Sequence, residues 1–126
     1  MPSYIAAILL AAAAAAPAAG QPISAGEFLT RAEPLLKKSK VTLLFSSEAK
    51  ALMKILGETA LRNRSRLDAD RAAGKPVTTC LPPKGKASVK STELLAHLRA
   101  LPAPQKAQSF DSAFASYTAR KYPCRA

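Results

Sequence analysis

The chain has 126 residues, with 19 Lys and Arg against 8 Asp and Glu, a formal net charge of +11 and 48% hydrophobic residues. This length suits one small domain, and the hydrophobic content excludes a disordered polyelectrolyte. The charge favours anionic partners, such as anionic lipid, cell-wall polymer or an acidic protein.

The start of the chain has the pattern of a cleaved export signal. Every residue from 5 to 16 is apolar, and small residues follow as far as Gly20. A membrane span needs about 20 apolar residues, so this run is too short to cross a bilayer. We expect cleavage after Ala18 or Gly20, which leaves residues 21–126 as one domain in the periplasm or outside the cell. The alternatives are a buried alanine-rich helix and an uncleaved anchor.

The next segment has the pattern of a capped helix followed by a linker. Ser24 and Glu27 match a capping box, in which a hydroxyl and a carboxylate satisfy the first free amides of a helix. Apolar residues then recur at helical spacing up to Leu36. Pro34 interrupts them, and it either kinks this helix or starts a second short one. The apolar run 41–45 is interpreted as a linker pressed on the core, because a lone strand has no pairing partner.

The longest helix is predicted in the middle of the chain. Ser46-Ser47 is expected to cap it, and it runs to about Ala73. Gly57 either weakens it or admits a close neighbour. Its second half is interpreted as a solvated end in which Arg66 pairs with Asp70. Its apolar stripe is predicted to consist of Ala49, Leu52, Met53, Leu56 and Ala60.

The last third is predicted to hold a loop and two helices. The segment 75–89 contains three prolines, which exclude a helix or a central strand. Ser91 or Thr92 is expected to cap a short helix, and Ser109 the last one. Their buried faces are predicted to consist of Leu94, Leu95, Leu98, Leu101, Phe110, Ala113, Phe114 and Tyr117. The whole pattern predicts an all-α fold, a small bundle of four to five helices.

Cys80 and Cys124 are the two cysteines, and both follow the export signal. An even count in an exported chain predicts a disulfide. Two free thiols, with or without a metal, are the alternative. A zinc site would lack ligands, because the chain has one histidine and no Cys-x-x-Cys. We therefore expect one disulfide, no metal and no cofactor.

The sequence contains no recognisable catalytic set. A mechanism based on serine or cysteine needs the only histidine, His97, beside an activated nucleophile, and its sequence neighbourhood suggests none. The acidic residues are scattered, and glycine-rich phosphate motifs are absent from the sequence. We therefore expect a protein that is not an enzyme.

The stretch from Cys80 to Cys124 resembles a known family in the motifs TTCLPP, STELLAHLRALP and SFDSAFASYTARKYPC. These are similar to the type VI secretion amidase immunity (Tai-like) family. The resemblance implies a small exported helical protein, typically dimeric, that blocks a peptidoglycan-cleaving amidase toxin in the periplasm. It also implies that the two cysteines form a structural bridge. The first half diverges: where the family has a cysteine and a glycine-aromatic motif in its central helix, this chain offers only Gly57.

Four basic residues are the candidate partner-binding residues: Lys84 and Lys86 in the loop LPPKGK, and Arg62 and Arg66 on the long helix. Loops on a rigid scaffold often carry function. On the first hypothesis, these residues meet an acidic partner protein, such as a cell-wall hydrolase, and a homodimer is also expected. On the alternative, the same cations and Arg120 hold an envelope accessory protein on anionic cell wall or lipid. Nucleic acid is not an expected partner outside the cytoplasm.

Overall fold

The computed structural model describes residues 23–125, so the predicted export signal and its cleavage sites lie outside the described residues. This part of the chain is all-α, as predicted. Its only β-type pairings are two isolated bridges, Ser24–Ser109 and Thr79–Pro123. The elements are α1 (Ala25–Ala32), a 3-10 helix (Glu33–Lys37), α2 (Lys40–Leu44), α3 (Ser47–Ala72), α4 (Ser91–Ala100), α5 (Ala103–Lys106) and α6 (Phe110–Lys121). The number of helices exceeds the predicted four to five because three of them, α2, α5 and the 3-10 helix, are single short turns.

Serine side chains begin most of these helices. Each accepts a hydrogen bond from a backbone amide three residues later, over 3.0–3.2 Å, and these serines are Ser24, Ser39, Ser46 and Ser109. Helix α4 differs from its prediction. Its N-cap is Lys90, without a side-chain hydrogen bond, so Ser91 and Thr92 are not caps. The helix starts earlier because the Leu94 amide donates to the Lys90 carbonyl over 2.9 Å.

The hydrophobic core lies between α1, α4 and α6, with one residue from α3. Phe110 is 1% exposed, and its ring stacks on Phe28 with 4.0 Å between the centroids. Leu101 is only partly buried against this cluster. The other predicted residues of α4 and α6 are confirmed as core, and residues of α1 and α3 join them. The buried cluster consists of Ala25, Phe28, Leu29, Ala32, Leu52, Leu94, Leu95, Leu98, Phe110, Ala113, Phe114 and Tyr117.

The second half of α3 packs on α6 through a partly polar inner face. Thr59, Asn63 and Leu67 are buried there. The Asn63 amide donates to the Thr118 hydroxyl over 3.1 Å, inside the interface. The interpretation of this half as a solvated end was therefore wrong for its inner face, because hydrogen bonds to α6 compensate the burial of its polar groups. The predicted pair of Arg66 with Asp70 is confirmed, at 3.6 Å.

Proline and glycine positions resolve two open alternatives. Pro34 lies in the first turn of the 3-10 helix, so it starts a second short helix. An added Cβ at Gly57 would meet no atom of another element within 4 Å, so no neighbour from the described part of the chain approaches this position closely. Gly74 follows the end of α3 with a φ of 75°, a conformation that favours glycine.

The predicted disulfide joins Cys80 to Cys124 and fastens the loop after α3 to the segment after α6. Two backbone hydrogen bonds flank it. The Cys80 amide donates to the Tyr122 carbonyl over 2.8 Å, and the Cys124 amide donates to the Thr78 carbonyl over 3.0 Å. The covalent bond and these hydrogen bonds together hold the two chain segments side by side. Among residues 23–125, each helix is either too short or too polar to cross a bilayer.

Candidate partner-binding site

The run from Val41 to Phe45 is an exposed apolar surface. Its first four residues belong to α2, which packs against α3. Val41 is 65% exposed, Leu44 68% and Phe45 82%. The prediction of a linker pressed on the core was therefore wrong. The core is already filled by α1, α4 and α6, so this turn covers the side of α3 instead.

An apolar groove of about 590 Å³ lies beside α2. Its walls come from α1, the 3-10 helix, α2, α3 and α4, and almost all of its lining is apolar. Met53, predicted as part of the apolar stripe of α3, is 67% exposed on this groove, because no other element of residues 23–125 covers it. The lining residues are Phe28, Ala32, Leu35, Leu36, Leu43, Leu44, Ala49, Lys50, Leu52, Met53, Leu56, Ser91, Leu94 and Leu95. We call this surface the apolar groove.

Several lysines lie near the apolar groove in sequence. Lys50 lines it, Lys54 follows one turn later on α3, and the others lie within two residues of a lining residue or of α2. Within residues 23–125, none of these lysines forms an ion pair. Their ammonium groups therefore remain available to an incoming anion. We call them the lysine rim: Lys37, Lys38, Lys40, Lys50, Lys54 and Lys90.

Most carboxylates of this protein are already paired. Six of its eight Asp and Glu residues form ion pairs in the described part, and Lys121 is the only lysine among their partners. The pair of Arg62 with Asp111 joins α3 to α6 at 2.7 Å, and this hydrogen-bonded guanidinium lowers the pKa of the Asp111 carboxyl. Such exposed pairs contribute about 0–1 kcal/mol each. Their larger consequence is that few carboxylates remain to neutralise the lysines.

The structure separates the four predicted binding residues into two pairs. Arg62 and Arg66 lie together beside α6, where Arg62 bonds Asp111, and Arg66 donates to the Asn63 side chain over 2.8 Å. Both guanidinium groups thus hold partners within the fold. Lys84 and Lys86 are exposed in the loop and form no ion pair within residues 23–125.

The basic loop lies on the same side of α3 as the apolar groove. Arg64 donates from Nη2 to the Pro82 carbonyl over 2.9 Å, which places the loop against this part of α3. Arg64 follows Met53 by eleven residues, about three helical turns, so the two share a side roughly 16 Å apart. Arg62 and Arg66 are each two residues from Arg64 and point to roughly the opposite side. The groove and the loop are therefore two parts of one face.

His97 lies next to a hydroxyl that sequence reasoning did not connect with it. Its Nε2 is 2.8 Å from the Ser116 Oγ. Ser116 donates to the Ala113 carbonyl over 2.8 Å, which favours the tautomer in which the imidazole donates to Ser116. In that tautomer the imidazole does not act as the base that activates the hydroxyl. Within residues 23–125, no group of three or more His, Cys, Asp or Glu residues is placed to hold a metal ion.

Acidification below about pH 6.5 is expected to destabilise the fold through His97. Burial, and second the nearby charge of Arg120, lower the pKa of this imidazole below its ordinary value near 6.5. The unfolded chain therefore binds the proton more tightly than the folded chain does. The neutral imidazole makes its full contribution to the free energy of unfolding above pH 6.5, and this contribution is lost as the pH falls towards the lower pKa of the folded state.

Urea unfolding between pH 7.5 and 5.5 measures this effect, in a window above the titration of the carboxylates. His97→Gln is the control, since an amide can donate to Ser116 but does not titrate in this range. The expected loss of stability in the native chain should be absent from the variant. Equal slopes of unfolding free energy against pH in the two proteins would contradict the assignment.

Sequence reasoning missed the apolar groove, although a signal was present. The run Val41–Phe45 adds five residues that are mostly apolar to a chain whose amphipathic helices already supply a core. It is also preceded by Lys37, Lys38 and Lys40, which need solvent. An apolar run directly after three lysines indicates a surface position as readily as a buried one.

Comparison of the chain with protein-family models, with curated proteins and with solved structures finds no match.

Proposed function

We propose that this protein is an exported, immunity-type inhibitor that binds a peptidoglycan amidase outside the cytoplasm and blocks it. One observation carries the proposal. A face of the folded chain presents an open apolar groove, a rim of unpaired lysines and a basic loop, with no element of residues 23–125 covering it. Exposed apolar patches with a polar border are typical of protein interaction sites.

Two further features support the proposal. The disulfide belongs with an oxidising compartment, which is where cell-wall hydrolases act and where exported proteins fold. The family resemblance lies between Cys80 and Cys124, and this stretch contains the loop with Lys84 and Lys86. That loop lies on the groove side of α3, so a partner seated on the groove would meet the loop as well.

Reversing the charge of the loop is expected to weaken capture of the partner. Lys84→Glu with Lys86→Glu should raise the Kd at low salt by about tenfold or more, mainly through a slower association rate. The matched control is Lys106→Glu with Arg120→Glu, which changes the net charge equally. Arg120 lines a depression with His97 and Ala100, on the opposite side of α4 from the groove. This control should bind within about twofold of the native chain.

The experiment uses the oxidised protein to capture partners from periplasmic extract, followed by mass spectrometry. The expected result is one amidase in fixed stoichiometry, whose hydrolysis of purified peptidoglycan is inhibited at equimolar protein. Capture without an amidase, or an amidase that retains full activity in the complex, would contradict the proposed function. Binding affinities of the two double variants are then measured with that purified amidase.

A second candidate function is an envelope accessory protein held on anionic cell wall or lipid. The observation that favours it is the set of unpaired lysines, since Lys121 is the only lysine in an ion pair of the described part. Adsorption of this kind depends on total charge and is released by salt. Both double variants should then lose sedimentation with peptidoglycan equally, whereas a specific inhibitor distinguishes between them.

A further inference from the structure

We infer that the apolar groove binds an amphipathic α-helix of the partner, with apolar residues in the groove and carboxylates on the lysine rim. This inference rests on the proposed function, since it names the part of the partner that is recognised. The occupant is defined by its chemistry alone, as an acidic helix with one apolar face.

The length of the groove fits a helix. Along α3 it extends from Ala49 to Leu56, a separation of seven positions or roughly 10 Å. An amphipathic helix that binds through anchors at i, i+3 or i+4, and i+7 needs the same length. Its anchors would meet the sides of Leu44 and Met53, which are 68% and 67% exposed and have unfilled space beside them.

The wall of the groove excludes the other common mode of peptide binding. Extended peptides add to a sheet by bonding the free backbone groups of an edge strand. The described residues contain no strand, and the groove is formed by helices whose backbone groups bond within each helix. Recognition must therefore come from side-chain packing, which is how a helix fills a hydrophobic groove.

The charge around the groove defines the polar side of the occupant. Lys50 and Lys54 lie four residues apart on α3, so their ammonium groups match carboxylates on successive turns of a facing helix. Two acidic residues close in sequence, Glu33 and Glu48, are paired with Arg99 and Arg31. Glu58 follows Lys54 by four residues and forms no ion pair within residues 23–125. An acidic helix therefore meets lysines that form no ion pair with the carboxylates of the described part.

The same charge argues against a second copy of this chain as the occupant. Two copies facing through this groove would bring two lysine rims together, and like charges across an interface are unfavourable by several kcal/mol. The exposed apolar residues of α2 could also enter an anionic membrane surface. That outcome is separated from helix binding by the experiment below.

The test is selection of peptides about 18 residues long, from a random display library, on the oxidised native protein. We expect enriched peptides with apolar residues at i, i+3 or i+4, and i+7, and with Asp or Glu on the flanks. Synthetic copies of the enriched peptides should bind with a Kd that Met53→Glu raises by about tenfold or more. Leu61→Glu is the matched control, because Leu61 is also exposed on α3, at 57%, but lies outside the groove. It should change the Kd by less than about twofold.

A charge reversal tests the rim separately. Lys50→Glu with Lys54→Glu should weaken the acidic peptides about tenfold or more and improve binding of versions in which Lys replaces Asp and Glu. Both variants change exposed residues, and circular dichroism verifies that they remain folded. Enrichment of basic or alternating extended peptides, or equal effects of Met53→Glu and Leu61→Glu, would overturn the inference.

Two further outcomes would assign the groove to another occupant and also overturn the inference. One is binding to phosphatidylglycerol vesicles that Met53→Glu abolishes, with no peptide enriched. The other is a dimer in solution that the same substitution dissociates.

Failure of the proposed function can be distinguished from failure of the groove inference. If Met53→Glu inhibits the amidase as well as the native chain while the loop variant does not, the groove inference is wrong and the inhibitor function stands. If the peptides bind as expected but no amidase is captured, the groove still binds acidic helices and the inhibitor function is wrong.

Discussion

Replacing Cys80 and Cys124 together by serine is expected to lower the free energy of unfolding by about 4 kcal/mol. The two residues are 44 positions apart, and a cross-link over a loop of this length removes much of the conformational entropy of the unfolded chain. The loss is large beside a total stability of about 5–15 kcal/mol for a typical domain. The melting temperature should fall by roughly 15 °C or more.

Urea unfolding of the native and double-serine proteins, at one pH and without reductant, measures this difference. The native chain with dithiothreitol is the control, since it loses the bond without a change of sequence. It should unfold at nearly the same urea concentration as the variant. A decrease in the free energy of unfolding below about 1 kcal/mol in both proteins would show that the backbone hydrogen bonds of Cys80 and Cys124 hold the two chain segments together without the covalent bond.

Truncating Phe110 to alanine is expected to destabilise the fold by about 3–5 kcal/mol. Phe110 is 1% exposed, and it lies between Phe28, at 4.0 Å between ring centroids, and Phe114, at 6.1 Å. Its backbone amide also donates to the Ile23 carbonyl over 2.8 Å, so α6 is anchored where the cavity would open. The surrounding side chains can collapse into such a cavity only in part.

Phe45→Ala provides the matched control, because it removes the same atoms from a side chain that is 82% exposed. It should change the free energy of unfolding by less than about 0.5 kcal/mol. Denaturant unfolding of the two variants gives both numbers. Similar losses from Phe45→Ala and Phe110→Ala would contradict the assignment of one ring to the core and the other to the surface.

The helices of the core could be predicted because local signals agreed with each other. In α6, Ser109 caps the helix, and the residues Phe110, Ala113, Phe114 and Tyr117 share one face, which is the face that is buried. The disulfide followed from the export signal and the even number of cysteines. The start of α4 was misplaced because hydroxyl side chains at Ser91 and Thr92 are a capping signal that the backbone did not use.

The apolar groove could not be predicted from periodicity. Spacing shows which residues share a side of a helix, but it does not show whether another element covers that side. Leu52 and Met53 are neighbours in the same predicted stripe, yet one is 5% exposed and the other 67%. Leu52 belongs to the buried cluster, whereas Met53, about 100° further round the helix, lies at the open groove, and which side is covered depends on contacts distant in sequence.

Which basic residues form ion pairs within the fold could not be predicted, for a similar reason. Arg62 and Lys84 look alike as exposed cations in a basic chain. Arg62 bonds Asp111, which is 49 residues away in sequence, whereas Lys84 has no ion pair within residues 23–125. Long-range ion pairs of this kind hold three arginines within the fold, Arg31, Arg62 and Arg99. Within residues 23–125, Lys121 is the only lysine held in this way. The predicted binding residues were therefore a mixture of the two roles.

Half of the eight carboxylates lie in ion pairs that join two helices, and this arrangement also affects how copies of the protein meet each other. Each molecule presents an outward layer of like charge, so neighbouring molecules repel before their apolar surfaces touch. This repulsion extends over roughly 30 Å at 0.01 M salt but only about 8 Å at 0.15 M. The unpaired lysines near the exposed apolar surface therefore act as a colloidal stabiliser, and the ionic strength of the surroundings sets how well that protection works.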